Sequence, residues 1–325
     1  MDFYERYLQS LPRLRKAGYA FVGNRKHSAV KVCLWARRAL CGKGSCYKQK
    51  FYGIKSHRCL QMTPAMPSCN QRCLFCWRDT SLFSEAWPLD GADEPSEIID
   101  GAVAAQRLLL IGFKGNASAD RQKWLEAQEP NQAAISLDGE PTMYPKLAEL
   151  IREFHRRGFT TFLVTNGTRP EALRHLAAED ALPTQLYVSL CAPDEETYEK
   201  TNLPVGDDNW TKLNETLMLL PSLATRKVLR LTLVKGLNFH SPERYAKLVK
   251  VSGVDYVECK SYMNVGFSTQ RLTQAHMPSH DEIRAFAAEL AGNAGYEFTD
   301  EQVESRVVLL SRDAEAARNR FITRV

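Results

Sequence analysis

The chain is expected to be an α/β protein built on a parallel sheet, and three observations carry that expectation. Between residues 133 and 259, short apolar runs alternate with segments of helical periodicity, the pattern of repeated strand–crossover–strand units. The candidate strands end on polar groups, Glu140, Thr165, Asn166, Ser189 and Lys260, and open parallel sheets bind ligands at the carboxyl ends of their strands. Seven of the nine cysteines fall between Cys33 and Cys76, ahead of the alternating region. That asymmetry places the chemistry in the first quarter of the chain. With 325 residues the chain allows one large domain or two ordinary ones. A net charge of +5 is mildly basic and tolerates a nucleic-acid partner. The charged start Met1 to Arg6 has no apolar stretch behind it, and no run approaches a membrane span. A cytoplasmic location is expected, where thiols stay reduced and clustered cysteines read as metal-binding or catalytic.

Taken in order, residues 1–30 read as a short amphipathic helix, interrupted by Pro12, and a polar connector. Gly42-Lys-Gly44 reads as a turn and Tyr47 to Gly53 as a basic-aromatic run. Ser96 to Phe113 reads as a helix with Ser96 as its N-cap and Lys114-Gly115-Asn116 as its end. Residues 117–130 are polar and helical. Ala133 to Leu137 is a buried strand, followed by Asp138-Gly139-Glu140-Pro141. Helices are expected over 147–157, 170–178 and 241–251, with another starting at Asp194; strands are expected over 160–164, 185–190, 227–234 and 256–259. Ser279 caps a helix that runs to about Ala291. Tyr296 to Phe298 and Arg306 to Leu310 read as a terminal strand pair with the acidic stretch Thr299–Glu304 between them. The last residues, Arg312 to Val325, are net basic, suited to RNA contact or to solvent.

The run Cys69-Asn-Gln-Arg-Cys73-Leu-Phe-Cys76 spaces three cysteines C-x3-C-x2-C. A tight loop of this kind aims three thiolates, the soft ligands of iron–sulfur clusters, at one point. Three is one short of the usual four, and an iron without a protein ligand is an open site for a small molecule. A structural zinc loop is the competing reading, but zinc sites pair C-x2-C units or add histidines, and no second C-x2-C exists here. With Phe75 before its third cysteine, the run resembles the signature of the radical S-adenosylmethionine (SAM) enzymes. The resemblance implies a 4Fe–4S cluster on Cys69, Cys73 and Cys76. Its open iron would take the amino and carboxylate groups of SAM and drive cleavage to a 5′-deoxyadenosyl radical. It also implies a partial (β/α)6 barrel. Asp138-Gly139-Glu140-Pro141 looks like that superfamily's SAM-binding Gly-Gly-Glu motif, with Asp replacing the first glycine. On this resemblance Gly139, Glu140, Thr165, Asn166 and Ser189 are expected to contact SAM.

Cys33, Cys46 and Cys59 are spaced evenly, with twelve residues between neighbours. The segments His27 to Lys31, Cys46 to Ile54 and Ser56 to Pro64, followed by Cys69 to Arg78, closely resemble the 4-demethylwyosine synthases, from about residue 27 to about 270. That family's reaction converts N1-methylguanosine, beside the anticodon of phenylalanine tRNA, into a tricyclic base with two carbons from pyruvate. The resemblance implies a second 4Fe–4S cluster on Cys33, Cys46 and Cys59, with Cys41 a non-ligand. It implies the shorter, archaeal form without a flavodoxin domain, served by a separate flavodoxin- or ferredoxin-like electron donor, and a monomer is expected. Domain bounds follow: an extension over 1–60, the barrel over 61–270 and a C-terminal extension over 271–325, all in one globular unit. Lys48 or Lys50, beside Cys46, is the expected Schiff-base lysine for pyruvate, with Lys260 behind them; direct coordination of pyruvate to the second cluster is the alternative. A flipped base needs aromatic and arginine side chains and its phosphates need basic ones. Candidates are Arg37, Arg38, Lys43, Trp77, Arg78, Lys260 and Tyr262. Two other classes fit the cysteines: an iron–sulfur RNA-binding or electron-transfer protein that never cleaves SAM, and a radical SAM activating enzyme for a protein substrate.

Overall fold

The computed structural model describes residues 3–322; Met1 and Asp2 of the charged start, and 323–325 of the basic tail, lie outside the described residues. Ten strands make one sheet. At one edge β1 (Ala20–Val22) and β2 (Ser28–Val30) pair antiparallel. Six strands then run parallel in chain order: β3 (Cys59–Thr63), β4 (Gln132–Ile135), β5 (Thr160–Thr165), β6 (Gln185–Ser189), β7 (Arg226–Leu233) and β8 (Tyr256–Ser261). At the other edge β9 (Glu297–Gln302) and β10 (Val307–Ser311) return antiparallel, β10 against β8. The order is linear, with β3 and β8 held apart by the whole parallel array, so the six strands form an open barrel with additions at both ends. The expected fold class is the observed one.

Alternation along the strands sends successive side chains to opposite faces. Leu163, Leu186, Leu229 and Val257 point to one face and join the main core. Phe162, Tyr187, Val228 and Tyr256 point to the other and join a separate aromatic cluster. Near the start of the chain lie α1 (Phe3–Lys16), α2 (Leu34–Leu40) and α3 (Tyr47–Tyr52). Of these, α3 packs Tyr47, Phe51 and Tyr52 into the inner, aromatic face. The outer face is covered by crossover helices: α4 (Pro95–Leu109) beyond the cysteine loop, α6 (Leu147–Arg156) after the short α5 (Arg121–Ala127), and α7 (Pro170–Ala178). After α8 (Glu195–Asn202) the cover continues with α9 (Asn209–Leu219), α10 (Pro242–Ser252) and α11 (His280–Ala294); α12 (Ala314–Arg318) follows β10. On α11, Ser279 and Glu282 form a reciprocal capping box and Gly295 ends the helix at φ 75°.

Several local expectations are corrected. Pro12 does not interrupt α1, because Tyr7, Leu11 and Leu14 bury one continuous face across it. The polar connector holds β1 and β2. The N-cap of α4 is Glu94, two residues before the expected Ser96, with Pro95 at the first helical position; the helix ends at Leu109, and a separate turn over Ile111–Phe113 follows. The acidic stretch is not a loop: Thr299 to Gln302 belong to β9.

Candidate active site

The inner face changes character along the strands. Towards their amino ends it is the aromatic plug just described. Two residues further on, the same face carries Arg230 and Thr232 from β7, in register with Glu258 and Lys260 of β8. Glu258 is fully buried and accepts hydrogen bonds from the hydroxyls of Tyr47 at 2.9 Å and Tyr52 at 2.8 Å. Those two bonds tie α3 to the sheet.

Helix α3 carries Lys48 and Lys50 and follows Cys46, one cysteine of the second triad. Cys33 caps α2, Cys46 caps α3 and Cys59 opens β3. Burial pushes all three thiols up, Cys46 to about 12; Cys33 raises Cys46 further, and Cys33 and Cys46 both raise Cys59, as neighbouring groups do. Lys48 is buried, with Nζ 4.0 Å from the Tyr187 ring centroid and 4.9 Å from that of Phe162. Burial pulls its pKa down; Glu258 opposes this and Arg230 adds to it. Lys50 turns the other way. Its Nζ lies 2.9 Å from Asp300 and donates to the Glu301 carbonyl, so the structure takes it away from the triad. Lys260 donates to the Ser305 carbonyl at 2.7 Å, and burial followed by the Arg230 charge lowers its pKa to about 8.

The first triad sits on a loop held by its backbone. Cys69 N–H donates to Ser84 O at 2.7 Å, Leu74 N–H to Thr201 O at 3.0 Å and the Arg271 guanidinium to the carbonyls of Leu74 and Cys76. Gly139 lies against the start of this loop at φ +68°, and a Cβ there would stand 2.4 Å from Ala65 O and 2.8 Å from Ser68 O. Glu140 N–H donates to Ser68 O at 2.6 Å. Burial raises Cys69, Cys73 and Cys76, with Cys73 raised further by the other two. Among the described residues no three His, Cys, Asp or Glu side chains are gathered as a single ion requires. A four-iron cube spreads its thiolates wider than one ion does, and both triads offer it three soft donors in sheltered surroundings.

Glu140 is buried at the end of β4. It accepts from the Thr165 hydroxyl at 2.6 Å, the Thr142 hydroxyl at 2.7 Å and the Asn166 backbone at 2.7 Å. The Asn166 side chain reaches Asn70, inside the cysteine loop, at 2.8 Å. Glu140, Thr165 and Asn166 therefore form one network with the loop. Ser189 ends β6, opposite Arg230 in register.

A cavity of about 260 Å³ joins the two regions. Cys69, Cys76, Trp77 and Arg78 line one side, and Gln61, Arg230 and Lys260 line the other, with Asp138 and Gly139 between. Arg78 is fixed by a 2.6 Å bond to Leu137 O, and Asp138 accepts from Tyr19 at 2.8 Å. Tyr262, an expected substrate contact, is instead buried with Val234 and Leu272, its hydroxyl 3.0 Å from Ser268, because it follows the end of β8 and turns into the apolar cluster there. Arg230 and Glu258 were not foreseen; a lone charged residue inside a strand has no spacing to mark it.

A model of the radical SAM superfamily matches residues 63–249, and one for wyosine base formation matches 252–312. The S-adenosyl-L-methionine-dependent tRNA 4-demethylwyosine synthase of Pyrococcus abyssi is 52% identical over 300 residues, 92% of this chain and 87% of that one. The chain belongs to the 4-demethylwyosine synthase family. The human synthase is 35% identical over 314 residues, which cover 94% of this chain and 42% of that one. Among solved structures, one of TYW1 with a lysine–pyruvate adduct bound superposes with a TM-score of 0.84 at 37% identity, covering 97% of both chains. Archaeal TYW1 superposes at 0.77 with 34% identity, covering 97% of this chain and 99% of that one. No helix among the described residues is long and apolar enough to cross a membrane.

Proposed function

We propose that the cavity walled by Cys69, Cys76, Arg230 and Lys260 is the place where SAM and the tRNA base meet a pyruvate held by Lys48. The chain is a radical SAM enzyme, a tRNA 4-demethylwyosine synthase that uses SAM and a 4Fe–4S cluster. The observation that carries the placement is that one cavity is walled by Cys69 and Cys76 on one side and by Arg230 and Lys260 on the other.

In this reading Cys69, Cys73 and Cys76 hold the SAM cluster, which supplies the electron that cleaves SAM. Glu140, Thr165 and Asn166 shape the rim where SAM lies, with Gly139 giving close backbone approach and Ser189 facing the rim from β6. Cys33, Cys46 and Cys59 hold a second 4Fe–4S cluster. Lys48 is the residue that binds pyruvate: its amine adds to the ketone carbon, a C–N bond forms, and the ketone oxygen leaves as water with the two amine protons. The solved relative with a lysine–pyruvate adduct supports a lysine in that role. Burial and the Arg230 charge favour the neutral amine that attack requires. N1-methylguanosine of phenylalanine tRNA then enters over Trp77 and Arg78. Burial, then the Arg78 and Arg37 charges, lower the pKa of Lys31, and a group of like charges of this kind is relieved by an RNA phosphate.

The test is anaerobic reconstitution followed by reaction with SAM, reductant, pyruvate and tRNA carrying N1-methylguanosine. Wild type is expected to carry about eight irons and to form both 5′-deoxyadenosine and the tricyclic base; Cys73→Ala and Cys46→Ala are each expected to carry about four and to form no base. A Cys46→Ala protein that still makes product rules out the second cluster. A wild type that yields no 5′-deoxyadenosine rules out the radical reading in favour of an iron–sulfur binder.

A further inference from the structure

We infer that Arg230, with Lys260 beside it, recognises the carboxylate of the pyruvate donor, so that the pocket selects a 2-oxo acid over a neutral ketone. This rests on the reading of Lys48 above and adds to it the group that decides which carbonyl compound enters.

Three basic side chains, Arg230, Lys48 and Lys260, share the polar end of the inner face. Arg230 acts electrostatically on both Lys48 and Lys260. The carboxylate acting on all three is Glu258, and both its oxygens are already taken by tyrosine hydroxyls. A sheltered guanidinium whose neighbouring carboxylate is already engaged is expensive without an anion. Thiolates of the second triad answer Lys48, which faces Cys46 and Cys59. Arg230 faces the cavity instead: it lines the wall, as Lys260 does, while Lys48 lies outside the lining. A guanidinium fork matches a carboxylate with two parallel hydrogen bonds, and it keeps its charge where a lysine loses it. Arg230 is also rigidly placed, in mid-strand between β6 and β8 and opposite Glu258 in register. Arg230 is thus the one of the three that both lines the cavity and acts on Lys48 and Lys260, which is where a carboxylate must sit if its ketone is to meet Lys48.

The test uses the holoenzyme, radiolabelled pyruvate and borohydride to trap the lysine adduct, with radiolabelled pyruvamide as the neutral analogue of the same shape. Wild type is expected to need about 10- to 100-fold less pyruvate than pyruvamide for half-maximal labelling, the range of a lost charged hydrogen-bond pair. Arg230→Gln is expected to raise the pyruvate requirement by a similar factor, keep the maximal label and lose most of the preference, while Arg230→Lys keeps part of it. A wild type that labels equally well with both compounds overturns the inference without any variant. So does an Arg230→Gln protein whose preference is unchanged. If Lys48→Ala labels as wild type does while Arg230→Gln still loses the preference, the lysine assignment falls and the carboxylate site stands. A wild type that takes up no label overturns both.

Discussion

Lys48 and Lys50 lie two positions apart on one short helix and end in opposite surroundings. Successive residues of an α-helix turn by about 100°, so a two-residue step swings the side chain to the far side. One therefore packs on Tyr187 and Phe162 and the other reaches Asp300 on the surface. Lys48→Ala is expected to abolish base formation, and Lys50→Ala to retain at least half of it, measured as product per holoenzyme; the reverse order would remove Lys48 from the reaction. Nothing in Tyr-Lys-Gln-Lys distinguishes the two, because the run is too short to display a helical period. Cys69, Cys73 and Cys76 differ, because their spacing alone puts three thiols on one loop, whereas Cys33, Cys46 and Cys59 sit on three elements and were named only through the family resemblance. Gly139 makes a second residue-scale case. Any side chain there meets the strain of positive φ and two backbone oxygens that cannot move aside. Gly139→Ala should lose roughly 3 kcal/mol or more of stability, seen as a lower denaturation midpoint. An alanine variant as stable as wild type would mean that the loop start is not packed as described.

Among the elements, α3 does the most to build the site, and it was also the least readable. Its six residues carry Lys48 and follow Cys46 directly, and its hold on the sheet passes through Tyr47 and Tyr52 to Glu258. Glu258→Ala strands two buried hydroxyls and strips three basic side chains of their shared carboxylate. A loss of roughly 3 kcal/mol is expected, together with a fall in iron content towards one cluster, since Cys46 is placed by the same helix. Iron content and the thermal midpoint measured on one sample decide this: a destabilised protein with full iron would separate the tie from the cluster. The contact links residues more than 200 positions apart, and only the folded sheet brings them together. Elements with long periods behaved differently. Helices α6, α7 and α10 and strands β4 to β8 lay close to their expected bounds because burial repeats along them, and the start of α11 was legible from Ser279 as its N-cap. The strands β1 and β2 are three residues each, too short for alternation to show.

Over the whole molecule, the terminal additions are proposed to be parts of one globular unit with the barrel. Strand β10 pairs with β8 from Val307↔Lys260 to Ser311↔Tyr256, so the strand that carries Glu258 and Lys260 is an interior strand only while β10 is present. Val307 and Leu309 belong to the same buried cluster as Tyr47, Phe51, Phe162 and Tyr187, and Val308 and Leu310 belong to the main core. A chain ended at Gln270 would keep every cysteine and the whole radical SAM match, yet it would lose both faces of β10, the cover of α11 and the hydrogen-bonding partner of β8. An unpaired, apolar strand edge is a template for aggregation. The shortened chain is therefore expected to show no cooperative thermal transition, no near-ultraviolet circular dichroism and a large-aggregate elution. A cooperative, monodisperse fragment would instead make 271–325 a separable extension. The same reasoning places the wyosine-specific match, residues 252–312, inside the catalytic unit, because the strand it begins with supplies the Glu258 that positions Lys48.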